Sequence, residues 1–395
     1  MLIDTDNAVK RRGVSEFGEH NINTTEFSET ANSKHFLSER GTEIVTFFYP
    51  FDPDAVSLWR QWLRRDGRIT HGMDPDVILP FLATERGSSD ALLIMELKHA
   101  RCQLAVVVVP DTTSTLCSAQ SWQLYTHEHL DVSGFFEEKA DQSYDMVFDF
   151  VQEGLSNNGI NLSRLSIFKM QCLNAGRKLF SEKYVRFNAF FDLSGKAVYS
   201  IPGKLNRNIR RNSKKLADSH GPLVLEVAPS QPDNMNTFFD VEASGWKGRE
   251  RSSIRSDDRL RRAYLAAARD GGSCCRAHVF TLWAGHEAVS SAFGLVYGEH
   301  ITLLKIGFDE RFTKFSPGSL LISKVINHAA KIGSTKLFLS TYPDWAIRWK
   351  TNLQIKKDVY VFSDDWTGRF RYLVDRFAKP VIRLQNLLLG KGDSL

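Results

Sequence analysis

The chain has 395 residues, with 51 Lys and Arg against 46 Asp and Glu, a net charge of +5. Its 42% hydrophobic and 25% charged residues are ordinary for a globular protein, and 27 Phe, 10 Tyr and 8 Trp exclude disorder over most of its length. Five unpatterned Cys exclude a disulfide scaffold, and the length favours two domains over one.

Residues 1–40 are polar and rich in Asn, Ser, Thr and Glu, and read as a flexible leader. With their mixed charge and no apolar run, no secretory signal is expected there. No stretch reaches the ~20 apolar residues that span a bilayer. The expected location is the cytoplasm, with contact at the inner membrane surface left open. Ile44–Tyr49 reads as a strand closed by Pro50, and DPDAVSLWRQWLRRD as an amphipathic helix capped by Asp54. Strands are expected at Leu92–Lys98, Gln103–Val109 and Trp122–Thr126, a helix at 141–157, then strands at Leu165–Met170 and Phe187–Phe191.

The stretch 194–203 is a candidate junction. After it come a basic helix at 203–218, a strand at Leu223–Val227, and helices at about 232–244 and 256–270. Three hairpin-linked strands follow, His278–Trp283, Val289–Tyr297 and Ile301–Gly307, then a helix from Pro317 to about Ile332 and a strand at Lys336–Leu339. The two halves read as two copies of one α+β unit.

P-loop, GxGxxG, GxSxG, HExxH and EF-hand signatures are absent. His127 and His129 share a strand face at metal-ligand spacing, but only Asp131 stands near to complete a set, so no metal is expected. Lys204, Arg207, Arg211 and Lys214 line one face of the basic helix, opposite Leu205, Ile209 and Leu216. That face is either solvated or a surface for a phosphate-bearing ligand. In EASGWKGRERSSI, Trp246 stands among small residues beside Lys247 and Arg249, as a core plug or part of a binding loop. In GFDERFTKFSPGSLLISKVI a strand ends at Gly307 and a helix opens at Ser316-Pro317-Gly318-Ser319, a start that suits a phosphate or simply caps the helix.

In this order, KLNRNIRRNSKKL, EASGWKGRERSSI, GFDERFTKFSPGSLLISKVI and WAIRW resemble the GNAT acyltransferase superfamily over roughly residues 200–355. Their arrangement is similar to the double-domain, FemABX-like branch, and within it to acetyltransferases associated with cellulose and exopolysaccharide biosynthesis. The resemblance implies an α+β (mixed α/β) fold of two tandem GNAT-like domains, with mixed, mostly antiparallel sheets flanked by helices. It divides the chain into the leader, a degenerate domain at 41–195, an acyltransferase domain at 196–365 and a basic amphipathic segment at 366–395.

By the same resemblance, acetyl-CoA or a longer acyl-CoA is a co-substrate and not a tightly bound cofactor. Its pyrophosphate maps onto Ser316, Pro317, Gly318 and Ser319, and its acyl end onto the strand end at Lys305, Ile306 and Gly307. Asp309 and Glu310 are the candidate bases and Glu242 the alternate; Trp246, Lys247, Arg249, Asp344 and Trp349 are assigned to the acceptor. The sequence departs from the family pattern twice. Phe315 and Leu320 stand at the ends of the phosphate loop where Gln or Arg and Gly or Ala are usual, and Trp345-Ala346 replaces an expected Tyr-Lys. The expected acceptor is an amino sugar, lipid-linked sugar or amino-bearing lipid of the cell envelope. Alternatives are an aminoacyl-tRNA donor held by the basic helix, or a non-catalytic subunit of a polysaccharide machine.

Overall fold

The computed structural model describes residues 33–37, 42–66, 71–85, 88–112, 120–130, 143–170, 176–194, 199–267, 269, 272 and 274–388. The first half runs β1 (Ser33–Leu37), β2 (Glu43–Phe48), α1 (Pro53–Asp66), α2 (Pro75–Leu82), β3 (Leu92–Lys98), β4 (Arg101–Pro110), β5 (Ser121–Leu124), α3 (Tyr144–Ser156), β6 (Arg164–Met170) and β7 (Phe180–Asp192). The second runs α4 (Gly203–His220), β8 (Leu223–Pro229), α5 (Pro232–Ala243), α6 (Trp246–Arg249), α7 (Asp258–Ala266), β9 (Cys275–Ala284), β10 (Glu287–Tyr297), β11 (His300–Phe308), α8 (Pro317–Lys331), β12 (Lys336–Leu339), β13 (Asn352–Phe362) and α9 (Trp366–Leu388).

All thirteen strands form one mixed sheet, in the order β1-β2-β3-β4-β5-β6-β13-β7-β12-β11-β10-β9-β8. The order is nearly a palindrome, because β2-α1-α2-β3-β4-β5-α3-β6 and β8-α5-α7-β9-β10-β11-α8-β12 are two runs of the same plan. The parallel pairs, β5–β6 and β11–β12, hold equivalent places in the two runs, each bridged by a helix. The following strands are exchanged. β7 pairs with β12 of the second run, and β13 returns to pair with β6 of the first. Neither run completes its sheet alone.

Each run has an apolar core under its helices, and a further cluster spans both, with Val77 and Phe81 of α2 packed among Phe238, Tyr264 and Phe293 of the second run. Val147, Phe148 and Val151 of α3 pack on Ile94, Val106 and Leu165, while Leu321, Ile322 and Val325 of α8 pack on Phe280, Ala292 and Leu303. Asp74 joins the runs. One of its oxygens accepts from the Asp76 N–H at the start of α2 (2.9 Å), and the other from the N–H groups of Cys274 and Cys275 (2.7 and 2.9 Å).

Five local readings change. The cap of α1 is Asp52, which accepts the N–H groups of Asp54 and Ala55 (2.8 and 3.4 Å), and not Asp54, which lies inside the helix. Ser33–Leu37 falls within the expected leader but is an edge strand, held by backbone pairing and the His35–Glu43 contact at 2.6 Å and not by an apolar pattern. The expected strand at Phe187–Phe191 is the end of a longer one, Phe180–Asp192, whose earlier residues are mostly exposed and lack alternation. The helix expected to reach residue 270 ends at Ala266. α2 goes unpredicted because Pro75 and Pro80 break a propensity count, although Pro75 sits in the first turn, where proline is favoured.

Candidate functional site

The site is built where β11 and β12 part. They pair in parallel only from His300–Lys336 to Leu303–Leu339. At that point β11 carries a bulge: Leu303 faces Gly294 and Lys305 faces Phe293, leaving Leu304 as the extra residue. Gly294 is required there, since a Cβ on it would lie 2.9 Å from Leu303 Cδ2 and 3.1 Å from the Thr302 carbonyl oxygen. Ser340 closes the vertex, donating its N–H to the Leu303 carbonyl (3.2 Å) and its hydroxyl to the Leu304 carbonyl (3.0 Å). Beyond it, Lys305–Phe308 run past the end of β12, paired with β10 on one side and facing a cleft on the other.

This cleft has a volume of about 480 Å³. Lys305 and Ile306 line one wall, and the first turn of α8, Ser316–Ser319, lines another. Ser316 adopts a left-handed conformation (φ 55°, ψ 54°) that turns the chain sharply into the helix. Its carbonyl accepts the N–H groups of Ser319 and Leu320 (3.0 and 3.2 Å). A Cβ on Gly318 would meet nothing closer than Phe308 Cδ1 at 3.8 Å, so the first turn is open toward the cleft. Six of the seven residues assigned to the acyl donor thus line one cavity. The seventh, Gly307, packs the other way: a Cβ on it would fall 2.7 Å from Glu242 Cα.

α4 runs beside this opening. Asn212 Nδ2 approaches Ser316 Oγ at 3.4 Å, and Ile209 and Leu216 are buried. From Asn212, the flank turning away from the buried stripe carries Lys204, Arg211 and Lys215, all exposed. The basic helix therefore presents positive charge next to the α8 N-terminus.

The acceptor residues divide. Asp344–Trp349 is a 3-10 turn, with three residues per turn, so residues 345 and 348 share one side and 346 and 349 the other. Trp345 and Arg348 line the cleft, whereas Ala346 and Trp349 are buried. Trp349 is 1% exposed and packs edge-on against Phe191 with ring centroids 5.7 Å apart, while its carbonyl accepts the Tyr199 hydroxyl. It is a core residue and not an acceptor contact, a correction that the three-residue period explains. Asp344 is exposed at the start of the turn and outside the cleft lining. Trp246 and Lys247 belong to α6, and their side chains lie outside the described set.

None of the three candidate carboxylates lines this cleft. Asp309 caps the turn at Glu310–Phe315, accepting from the Arg311 N–H (2.9 Å) and pairing with its guanidinium (2.7 Å). That is a structural task. Glu242 is buried and accepts the Ile254 N–H at 3.0 Å, pinning the loop after α6. Glu310 pairs with Arg249 at 2.7 Å. Arg249, Ser244, Gly245 and Ser253 edge a second, shallow cleft on the far side of the strand end. Ser244 lies between the two clefts: its hydroxyl, 2.7 Å from the Val241 carbonyl oxygen, is also 3.3 Å from that of Phe308, which lines the first. Sequence reasoning missed Ser340, Trp345 and Arg348. The 3-10 spacing of Trp345 and Arg348 was the available signal.

The histidine pair has other work. The His129 N–H donates to His127 Nδ1 (3.1 Å), so neutral His127 carries its proton on Nε2, 3.9 Å from Glu85 Oε1. His129 Nδ1 instead meets the Tyr264 hydroxyl at 2.9 Å. Among the described residues no group of three or more His, Cys, Asp or Glu is placed to hold a metal ion. Burial, then Lys169 and Lys305, push the His127 pKa down to about 4. The unfolded chain therefore binds more protons between its ordinary value near 6.5 and about 4, and stability falls as pH drops through that window. Glu85, whose pKa burial raises, acts in the opposite sense, so the comparison with His127→Phe isolates the histidine. Urea unfolding midpoints should fall less on acidification in His127→Phe than in the wild type.

A model of the acetyltransferase (GNAT) domain matches residues 203–350. The crystal structure of FemX is similar in fold, with 11% identity, a TM-score of 0.55, and coverage of 82% of this chain and 98% of FemX. The C-terminal domain of a candidate lysylphosphatidylglycerol synthetase from Agrobacterium fabrum aligns at 11% identity and TM-score 0.47, over 82% of this chain and 95% of its own. A tandem GNAT protein from the clavulanic acid biosynthesis pathway aligns at 8% identity and TM-score 0.42, over 78% and 95%. No curated protein matches the chain. The stretch that matches the acetyltransferase (GNAT) domain contains all the residues that line the cleft.

Proposed function

We propose that this acyltransferase moves an acyl group from acyl-CoA to an amine of a cell-envelope or exopolysaccharide precursor. The parting of β11 and β12 at the Leu304 bulge carries the reading, because it opens a strand edge and a helix start onto one cavity. The domain at 196–365 does the chemistry and the one at 41–195 is its degenerate copy, each lending its last strand, β13 and β7, to the other's sheet. An extended thioester arm pairs along the strand edge at Lys305–Gly307, as an added strand does. Its phosphates meet the first turn of α8, with Arg348 and the basic flank of α4 nearby. The amine nitrogen attacks the thioester carbonyl, main-chain N–H groups at the strand end polarise the developing oxyanion, and the CoA thiolate leaves. Glu310, beside the second cleft, takes the amine proton. Cys102, Cys274 and Cys275 are free thiols, which supports a cytoplasmic site of action.

Calorimetric titration with acetyl-CoA, free CoA and a long-chain acyl-CoA tests the donor. At least one should bind with micromolar affinity, and Gly318→Glu, which adds an anion at an open position, should weaken it about tenfold. Absence of binding by all three removes acyl-CoA as donor. The exposed cations of α4 support a second reading, in which the donor is aminoacyl-tRNA. Binding to tRNA would then fall steeply with salt.

A further inference from the structure

α9 sits on the protein with its polarity reversed. The side turned to the body is largely polar: Arg371 is 7% exposed and donates to Ser121 Oγ at 2.5 Å, and Asp375 pairs with Lys183 of β7, while Tyr372 meets Phe362 edge-on with ring centroids 5.6 Å apart. The start of the helix is fixed by Asp365, which accepts the Gly368 N–H (2.7 Å) and the Ser363 hydroxyl (2.8 Å). A Cβ on Gly368 would lie 2.1 Å from the Ser363 carbonyl oxygen, so the helix lies directly on the chain there. The outward side carries Trp366, Phe370, Leu373 and Phe377, which are 80%, 58%, 50% and 62% exposed. Their spacing of four, three and four residues makes a single stripe along the helix. The sequence repeats that spacing at Leu384 and Leu388.

A soluble surface helix has the opposite arrangement, so this stripe needs a partner. Charge identifies its chemistry. Arg369 and Arg376 are exposed along one edge of the stripe, and Lys379 and Arg383 follow in the sequence. Between Trp366 and Phe377 the sole carboxylate is Asp375, turned inward to Lys183. A second copy of the same face would offer the arginines no opposite charge. An apolar surface coated with anions offers both.

We infer that α9 docks the protein on an anionic lipid bilayer, with Trp366, Phe370, Leu373 and Phe377 entering the headgroup and acyl boundary and Arg369 and Arg376 meeting lipid phosphates. Such a helix lies in the plane of the interface with its apolar face ~5–10 Å deep. No helix among the described residues is long and apolar enough to cross a membrane, so attachment by this helix is peripheral. The inference is independent of the acyl-transfer reading, because vesicle binding is measured without turnover.

The test is cosedimentation of the full chain with phosphatidylglycerol–phosphatidylcholine vesicles and with phosphatidylcholine vesicles alone. The wild type should pellet with the anionic vesicles and remain in solution with the neutral ones. Phe370→Glu/Phe377→Glu should bind at least about tenfold more weakly. Its thermal midpoint should match the wild type, since both positions face outward. Arg369→Gln/Arg376→Gln should bind more weakly and with a shallower salt dependence. Wild type that stays in solution with both vesicle types, or a Phe370→Glu/Phe377→Glu variant that pellets like wild type, overturns the inference. So does a wild-type dimer, in sedimentation velocity, that the same variant converts to monomer, since the stripe would then be a self-interface.

Discussion

Replacing Glu310 by Gln is expected to lower turnover of amine acylation by about 100-fold or more, the usual contribution of a general base. Acyl-CoA affinity should stay within about twofold, because Glu310 lies outside the cleft proposed to hold it. Gln keeps the size of the side chain and can still accept from Arg249, which pairs with Glu310 at 2.7 Å. The change therefore removes a basic oxygen without removing the contact that ties the Arg249 loop to the strand end. Asp309→Asn gives the contrast. Its carboxylate is committed to Arg311 and the following turn, so that variant should lose stability before it loses rate. Single-turnover kinetics with saturating acyl-CoA separates the two. A Glu310→Gln enzyme with near-normal kcat would take this residue out of the mechanism.

Arg164→Met should destabilise the protein by about 3–5 kcal/mol, the cost of leaving a buried charge without its partner. Asp111 is fully buried, and one of its oxygens accepts both Arg164 Nη2 (2.8 Å) and the Ser166 hydroxyl (2.5 Å). Arg164 also lies over the Tyr360 ring, 4.6 Å from its centroid. This cluster sits where β6 meets the returning strand β13, at the Arg164–Phe362 pair. Loss there should loosen both runs together, in a single urea transition. Asp111→Val combined with Arg164→Met should recover most of the loss, because a matched apolar pair leaves no charge behind. Equal instability in the single and double variants would contradict this account.

The elements that the sequence announces are those with strong side-chain patterns. The apolar run at 104–109, the three hairpin strands after residue 275 and the helix opening at Ser316-Pro317 all fall where periodicity and capping place them. The cleft between the end of β11 and the start of α8 was legible for the same reason, because a strand end and a proline-led helix start are local features. The strand exchange was not. Backbone pairing chooses between neighbours by geometry, and the ion pairs that join β7 to β13, Arg186–Asp358 and Glu182–Lys357, lie too far apart in the sequence to be read as pairs. Trp349 was misjudged because family words mark position in the chain, whereas a 3-10 turn decides which side of the chain is wet. The direction that α9 faces was hidden too, since its amphipathic pattern reads the same whichever side is turned inward.

The exchanged strands set an order of events at the ribosome. Lys169 of β6 donates its N–H to Asp358 of β13, 189 positions later. The first run is translated long before the strand that closes it, and until then β6 offers an open edge. Contacts this distant in sequence form slowly and expose unpaired strands while they wait. The nascent chain therefore emerges with most of its first core assembled but its rim unsealed, a natural client for chaperones. A stop codon anywhere before residue 352 would yield a protein that lacks β13 and leaves β6 unsealed, so truncated products should be cleared by proteolysis and not survive as free first domains.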